Sequence, residues 1–349
     1  MENGQMDIKS LSLEEMEPLL MELGLKKFQV KEAFSWLHQK QVESFDEMTN
    51  ISKAGREALD KKFYINFLKI TKKLVSSLDG TIKYLYRLRD GQMVESVLMH
   101  YQHGNSLCIS TQAGCRMGCR FCASTLAGLA RNLTPSEMLD EIYTAQRDSG
   151  EKVNSVVLMG IGEPLDNYDN VLRFLRILSS KEGMNMSLRH VSLSTCGIVP
   201  MIDRLAEENL QLTLSISLHA PNNAIRDQMM PVNKRWNMDE LLTACDRYFE
   251  KTGRRISYEY ALVGGVNDSV DAARELGRRM HGKNCHVNLI PVNEVKERGF
   301  KKGSKESIRK FANILEGYGV TTPVRRELGS DISAACGQLR RQQALEGES

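Results

Sequence analysis

The stretch Leu107-Cys-Ile-Ser-Thr-Gln-Ala-Gly-Cys115-Arg-Met-Gly-Cys119-Arg-Phe-Cys122 runs from a short apolar segment into a loop holding three cysteines. Three thiolates fill three corners of a cubic iron–sulfur cluster and leave the fourth iron open to another group. An open iron points to chemistry rather than scaffolding. The apolar run before the loop, Leu107–Ser110, is the first of six. The others are Val153–Met159, Val191–Ser194, Leu212–Ser217, Ile256–Leu262 and Val287–Ile290. Helical stretches lie between them. One opens at Thr134-Pro-Ser-Glu137, a capping box with proline at the first helical position. Another opens at Asn237 with Glu240 three residues on, and a third spans Ser269–Met280. Strand and helix alternating six times predict a parallel sheet with crossover helices. The fold class is α/β, a partial (βα)6 barrel. A flat doubly wound sheet is the alternative, but no glycine-rich dinucleotide fingerprint follows the first strand.

Outward from this core the chain divides into four parts. Residues 1–75 read as a helical accessory domain. Ser12 and Glu15 form a capping box, Gly24 stops that helix, and Val30, Phe34, Leu37 and His38 recur at helical spacing. Residues 76–100 read as a β-hairpin linker, Ile82-Lys-Tyr-Leu-Tyr-Arg-Leu and Met93-Val-Glu-Ser-Val-Leu-Met around Asp90-Gly91. The barrel takes residues 101–330, and 331–349 form a tail. The chain has 349 residues, 41% hydrophobic and 26% charged, as an ordinary globular protein has. No apolar run nears the roughly 20 residues of a membrane span. No secretory leader is expected, so the eight cysteines should be reduced thiols or metal ligands in a cytoplasmic protein. The net charge of +3 is too small to prove a nucleic-acid partner. Residues 26–73, however, hold 11 Lys/Arg against 6 Asp/Glu, interleaved with aromatics. Such a segment binds RNA by phosphate contacts and stacking, or is simply a helical domain with a solvated basic face.

In parallel barrels the chemistry gathers at the C-terminal ends of the strands. The cysteine loop follows the first strand here, and Gly160-Ile-Gly162-Glu163-Pro164 follows the second. Ser194-Thr195 ends the third, Ser217-Leu218-His219 the fourth, and Asn293 the sixth. All are expected on one mouth. Structural zinc is the rival for the thiols, with Cys108 as fourth ligand. Zinc sites usually pair their ligands at two-to-four spacing on two arms, whereas Cys108 lies seven positions upstream inside a strand. A zinc-stabilised RNA-binding module is therefore the alternative of another class.

The Cys-x3-Cys-x2-Cys spacing, with Phe121 before the last cysteine, resembles the signature of radical S-adenosylmethionine (SAM) enzymes. That resemblance implies a [4Fe-4S] cluster on Cys115, Cys119 and Cys122. Its open iron would be chelated by SAM, whose sulfonium is split to a 5′-deoxyadenosyl radical. Gly162 permits close approach, and the Glu163 carboxylate suits the SAM ammonium. Read apart from the barrel, the same turn is only a helix start, and Ser194, Ser217 and Asn293 are plain strand-end polar groups. His219 reads as a core histidine or a SAM contact through its backbone. Cys245 shares an apolar helix face with Leu241, Leu242 and Phe249. Cys196 and Cys285 read as structural, Cys196 close to the rim.

Over nearly its whole length the chain also resembles the radical-SAM adenosine methyltransferases of ribosomal RNA. The match is carried by Ser44-Phe-Asp-Glu-Met-Thr-Asn50, Ser110-Thr-Gln-Ala-Gly-Cys115, Met159-Gly-Ile-Gly-Glu-Pro-Leu165, Leu193-Ser-Thr195, Ile216-Ser-Leu-His-Ala-Pro221 and Ala335-Cys336-Gly-Gln-Leu339. One branch of the family methylates C2 of an adenosine in large-subunit ribosomal RNA and, in many members, an adenosine in certain transfer RNAs. The other methylates C8 and confers antibiotic resistance. Pro164 and Ala113 stand where the C8 branch tends to carry alanine and cysteine, so the resemblance implies C2. It also implies two SAM molecules per turnover. One methylates Cys336; the other yields the radical that activates the S-methyl group for addition to C2. Glu95 would then remove the C2 proton. Cys108 would attack the Cys336 sulfur, forming a disulfide and releasing the methylated base. A flavodoxin-type protein would supply electrons. Ser333 departs from the acidic residue that many relatives carry.

Overall fold

The computed structural model describes residues 4–292, 299–332 and 334. Asn293 and Cys336 lie outside the described residues. The N-terminal part opens with β1 (Met6–Asp7) and the helices α1 (Leu13–Met21), α2 (Lys27–His38) and α3 (Lys53–Lys62), and closes with β2 (Phe63–Tyr64), which pairs parallel to β1. The Ser12–Glu15 capping box is present, each side chain accepting from the other's backbone amide. Phe34, Phe45 and Phe63 are buried, whereas Phe28 is exposed.

Residues 69–75, within the stretch read as helical, form a strand, β3 (Lys69–Val75). The reason lies in its period. Ile70, Lys72 and Leu74 turn partly inward while Lys69, Thr71, Lys73 and Val75 face out, an alternation of two and not of 3.6. The expected hairpin follows as β4 (Ile82–Arg87) and β5 (Met93–Tyr101), and β5 pairs antiparallel with β6 (Gly104–Cys108).

Six parallel strands then build the barrel: β6, β9 (Val153–Leu158), β10 (Val191–Thr195), β11 (Thr213–Ser217), β12 (Ile256–Leu262) and β13 (Cys285–Pro291). Each overlaps one of the six apolar runs, β6 lying mostly before its run. Between β6 and β9 a hairpin of β7 (Gln112–Gly114) and β8 (Leu129–Asn132) frames the cysteine loop, and α4 (Pro135–Ser149) follows. The other crossovers carry α5 (Tyr168–Ser179), α6 (Val199–Glu207), α7 (Asn223–Met229), α8 (Met238–Thr252) and α9 (Val270–Met280), and α10 (Lys305–Gly317) follows β13. The capping boxes at Thr134/Glu137 and Asn237/Glu240 open α4 and α8. The nine-stranded sheet runs from β13 to β3, which forms its open edge. Among the described residues no helix is long and apolar enough to cross a membrane.

After α10 the chain returns to the sheet. Backbone bonds join Val287 to Thr321, Leu289 to Pro323 and Arg325 to Leu289, so residues 321–325 run beside β13. The following residues cross the barrel mouth toward the β3–β4 turn.

The N-terminal part is fastened to α4 by a buried ion pair. The Lys9 ammonium meets the Asp140 carboxylate and donates to the Asn66 carbonyl at 2.7 Å, while the Asn66 side chain donates to Asp140 at 2.8 Å. Removing one partner of such a pair strands the other charge in a low-dielectric interior. Lys9→Met is therefore expected to cost about 3–5 kcal/mol in urea unfolding, and Lys9→Met with Asp140→Leu to recover most of that loss.

Candidate active site

Cys115, Cys119 and Cys122 stand on the loop at the tip of the β7–β8 hairpin. The Cys115 amide donates to the Gly128 carbonyl at 3.0 Å, and the Thr125 hydroxyl donates to the Cys119 and Cys122 carbonyls. The Arg120 amide reaches the Met229 carbonyl at the end of α7, so the loop is tied across the mouth. Burial, with Glu163 and neighbouring thiols adding to it, pushes the Cys115 thiol up to about 12 and Cys119 higher still. Such thiols give up their protons only to a metal that replaces the charge. A four-iron cube takes one thiolate per iron, and three thiols of one loop line the cavity to supply them. The three cysteines fit such a cluster.

The glycine turn after β9 is built against the cysteine-loop entry. A Cβ on Gly160 would lie 2.6 Å from the Ile109 carbonyl oxygen, and one on Gly162 (φ +111°) would lie 2.6 Å from the Gln112 Cβ. Only glycine permits both approaches. They bring Glu163 to the cavity wall, where its carboxylate accepts from the Leu165 amide at 3.0 Å and the Cys196 amide at 2.7 Å. Burial pushes its pKa up despite these bonds. A carboxylate offers about four acceptor positions, so capacity for an ammonium remains.

Ser194, Ser217 and His219 line the same cavity, of about 530 Å³, as do the three thiols, Gly162 and Glu163. His219 takes a left-handed backbone (φ +58°), its Nδ1 accepts from the Ala261 amide at 2.9 Å, and its ring meets Phe121 edge-on at 4.9 Å. Leu218 does not share that wall. Its side chain is core and its amide is taken by the Glu259 carbonyl at 3.0 Å.

Cys108 also lines the cavity, packed with Val97 and Met99, with Leu328 and Ala334 of the C-terminal segment against them. Val97 pairs with Cys108, and the Ser110 hydroxyl donates to the Glu95 carbonyl at 2.8 Å. Glu95 shares the face of β5 that carries Val97 and Met99. It is not a surface charge: it is 2% exposed, with the buried Lys83 ammonium 3.5 Å away.

Three features of the mouth left no signal in the sequence. Arg226 of α7, fully buried, donates to the carbonyls of Cys196 (2.6 Å), Ser217 (3.1 Å) and Leu218 (3.2 Å) and to Asn233, binding two strand ends together. Glu259 lines the cavity, held by Ser257 at 2.7 Å and Asn288 at 2.8 Å. Residues 325–330 form the remaining wall. A run of alternating residues tells which face of a strand is inward but not which distant segment closes over it.

A partial barrel with three loop thiols and a glycine-flanked glutamate on one cavity defines a radical-SAM core. A family model described as the radical SAM superfamily matches residues 109–276, and one described as the ribosomal RNA large subunit methyltransferase N-terminal domain matches residues 6–65. A probable dual-specificity RNA methyltransferase RlmN of Lachnoclostridium phytofermentans is 55% identical over 337 residues, covering 97% of this chain and 95% of the relative. One of Alkaliphilus oremlandii is also 55% identical, covering 97% and 98%. The crystal structure of a radical SAM methyltransferase from Sphaerobacter thermophilus superposes with a TM-score of 0.90 at 42% identity, covering 95% of this chain and 98% of that one. The chain belongs to the RlmN family of radical-SAM methyltransferases, whose chemistry uses a [4Fe-4S] cluster and SAM.

Burial, helped by the Arg226 charge, lowers the His219 pKa to about 3, so the ring is neutral at working pH. A depressed folded value means that the unfolded chain binds the extra proton first, so His219 contributes stability above about pH 6.5 that fades as pH falls toward about 3. The stability difference between wild type and His219→Asn should therefore narrow over that window in urea unfolding. The ring's NMR shifts should show no titration between about pH 5 and 8.

Proposed function

We propose that this enzyme methylates C2 of an adenosine in large-subunit ribosomal RNA, and an adenosine in certain transfer RNAs, through a methyl group carried on Cys336. The observation that carries the reading is convergence. Cys108, the cluster thiols, Glu163 and Ala334, two positions before Cys336, all line one cavity at the C-terminal ends of the strands. The printed names of the relatives, dual-specificity RNA methyltransferases, support RNA substrates of two kinds. Pro164 and Ala113 favour C2 over C8.

Adenine C2 is electron-poor and does not attack an ordinary methyl donor, so radical addition is required. When bound, the cluster and SAM supply that one-electron chemistry, and a second SAM supplies the methyl group. The residues of the chain do the rest. Glu163 and the strand-end groups at Ser194, Ser217, His219 and Asn293 orient SAM over the thiols. Cys336 holds the methyl carbon as a thioether and presents it to the base. Glu95, on the inner face of β5 with Lys83 beside it, takes the C2 proton. Cys108 attacks the Cys336 sulfur, and the new disulfide releases the methylated base. A reducing cytosol returns both thiols; no disulfide joins the seven described cysteines. The target base must leave its stack to enter the cavity, at a cost of a few kcal/mol. RNA contacts on the N-terminal part, where Lys40 lies 3.2 Å over the Trp36 ring and Phe28 is exposed, would offset that cost. A flavodoxin-type donor completes the reading.

Mass spectrometry of adenosines from digested ribosomal and transfer RNA, from cells with and without the enzyme, is expected to place the methyl group on C2. A C8 product would overturn the assignment. Cys336→Ala should load cluster normally yet give no methylated RNA. Cys108→Ala should accumulate a protein–RNA adduct, seen as a shifted gel band that RNase collapses.

A further inference from the structure

Arg226 carries a charge that its hydrogen bonds leave unbalanced. It is fully buried, and each of those bonds ends on a neutral acceptor: the carbonyls of Cys196, Ser217 and Leu218 and the side-chain oxygen of Asn233. Asp227 is linked to it through Asn233, whose side-chain amide donates to Asp227 Oδ1 at 2.7 Å. A neutral donor could tie carbonyls together as well. Taking a full charge out of water costs several kcal/mol, and an anion has to offset it.

Burial works against the guanidinium charge. The groups that support it are, in falling order, the thiols of Cys196, Cys119 and Cys245, with Asp227 last. The effect is mutual: burial holds the Cys119 thiol well above its ordinary value, and Arg226 pulls it back. The cysteine loop is seated where this can happen. Its Arg120 amide donates to the Met229 carbonyl of the same helix at 2.9 Å, and a Cβ on Gly118 would touch Pro231 at 3.5 Å. Cys196 offers its carbonyl to Arg226 and its amide to Glu163, so the cation stands behind the wall that faces the thiols. Three thiolates on an oxidised four-iron core leave one net negative charge, and the electron that starts the chemistry makes it two. Cluster potentials follow net charge and solvent exposure, so a buried cation beside the ligands favours the reduced state.

We propose that Arg226 is the countercharge of the iron–sulfur cluster, placed to ease its one-electron reduction. The inference rests on Cys115, Cys119 and Cys122 holding that cluster. The electron comes from an external one-electron reductant and goes onto iron; Arg226 neither gains nor loses a proton in the step. Because the guanidinium is out of water, salt screens its charge little.

The test uses the full chain, reconstituted anaerobically with iron and sulfide, without SAM or RNA. The readout is the ratio of reduced to oxidised cluster, followed by electron paramagnetic resonance as dithionite and mediators set the potential. Arg226→Gln removes the charge and keeps a donor. It is expected to cut that ratio about tenfold at a fixed potential, a midpoint about 59 mV lower. Arg226→Lys keeps the charge and loses the fork, and should stay within about twofold of wild type. An unchanged ratio in Arg226→Gln overturns the proposal. So does an equal fall in Arg226→Lys, because the carbonyl ties and not the charge would then be responsible. If Arg226→Gln takes up no cluster, the paired exchange of Asp227→Asn with Asn233→Asp carries the test. It sets a carboxylate on the guanidinium with the net charge of the chain unchanged, and should lower the ratio at least about threefold. A wild-type ratio there overturns the proposal equally. A wild-type chain that takes up no iron and sulfide would instead sink the cluster reading.

Discussion

Backbone meets backbone at the centre of this protein. The turn after β9 lies against the strand and loop that lead into the three thiols, so closely that a single methyl group on Gly160 or Gly162 would collide with Ile109 or Gln112. Hydrogen bonds seal the contact: the Ile161 amide to the Ser110 hydroxyl at 3.0 Å, the Thr111 amide to the Ile161 carbonyl at 2.8 Å, and the Glu163 amide to the Gln112 side chain at 2.9 Å. Glu163 can stand beside the thiols only because this seam is shut. The rest of the mouth is assembled around it.

The opposite side of the mouth is organised by a buried cation. Arg226 has no solvent to turn to and satisfies its guanidinium on main-chain carbonyls from the ends of β10 and β11. A planar fork with several donors suits this task, where a lysine would supply one point charge. Its helix, α7, also receives the cysteine loop through the Arg120 amide. The thiols and the strand-end groups are thus referenced to the same helix. Desolvation pushes the pKa of the Cys115 thiol and of the Glu163 carboxyl above their values in water.

The barrel was legible because its signals are local. Six apolar runs, separated by capped helices, became six parallel strands in chain order, and the thiols, Glu163, Ser194, Ser217 and His219 fell on one rim as strand-end positions should. Other features were less legible, because their local signals were weak or absent. The period of two in Lys69–Val75 is masked by its lysines, which suit an exposed edge as well as a helix. Glu95 lies on a hairpin that, taken alone, would face water; within the sheet it is buried, with Lys83 of the neighbouring strand β4 3.5 Å away. Leu218 lies among site residues in the chain but points into the core. Arg226 and the segment across the mouth depend on contacts between distant segments, which no single window of sequence records.

The open edge of the sheet also shapes how the protein behaves among its own copies. An uncovered strand offers unsatisfied amides and carbonyls to any neighbour able to align with it. On β3 the outward positions include Lys69 and Lys73, and Lys72 lies between them; Lys73 is held by Asp148 at 2.5 Å. Bringing two such margins together would oppose the like charges of Lys69 and Lys72. The same lysines that disguise the strand in the sequence guard a crowded solution of this enzyme against stacking into ribbons.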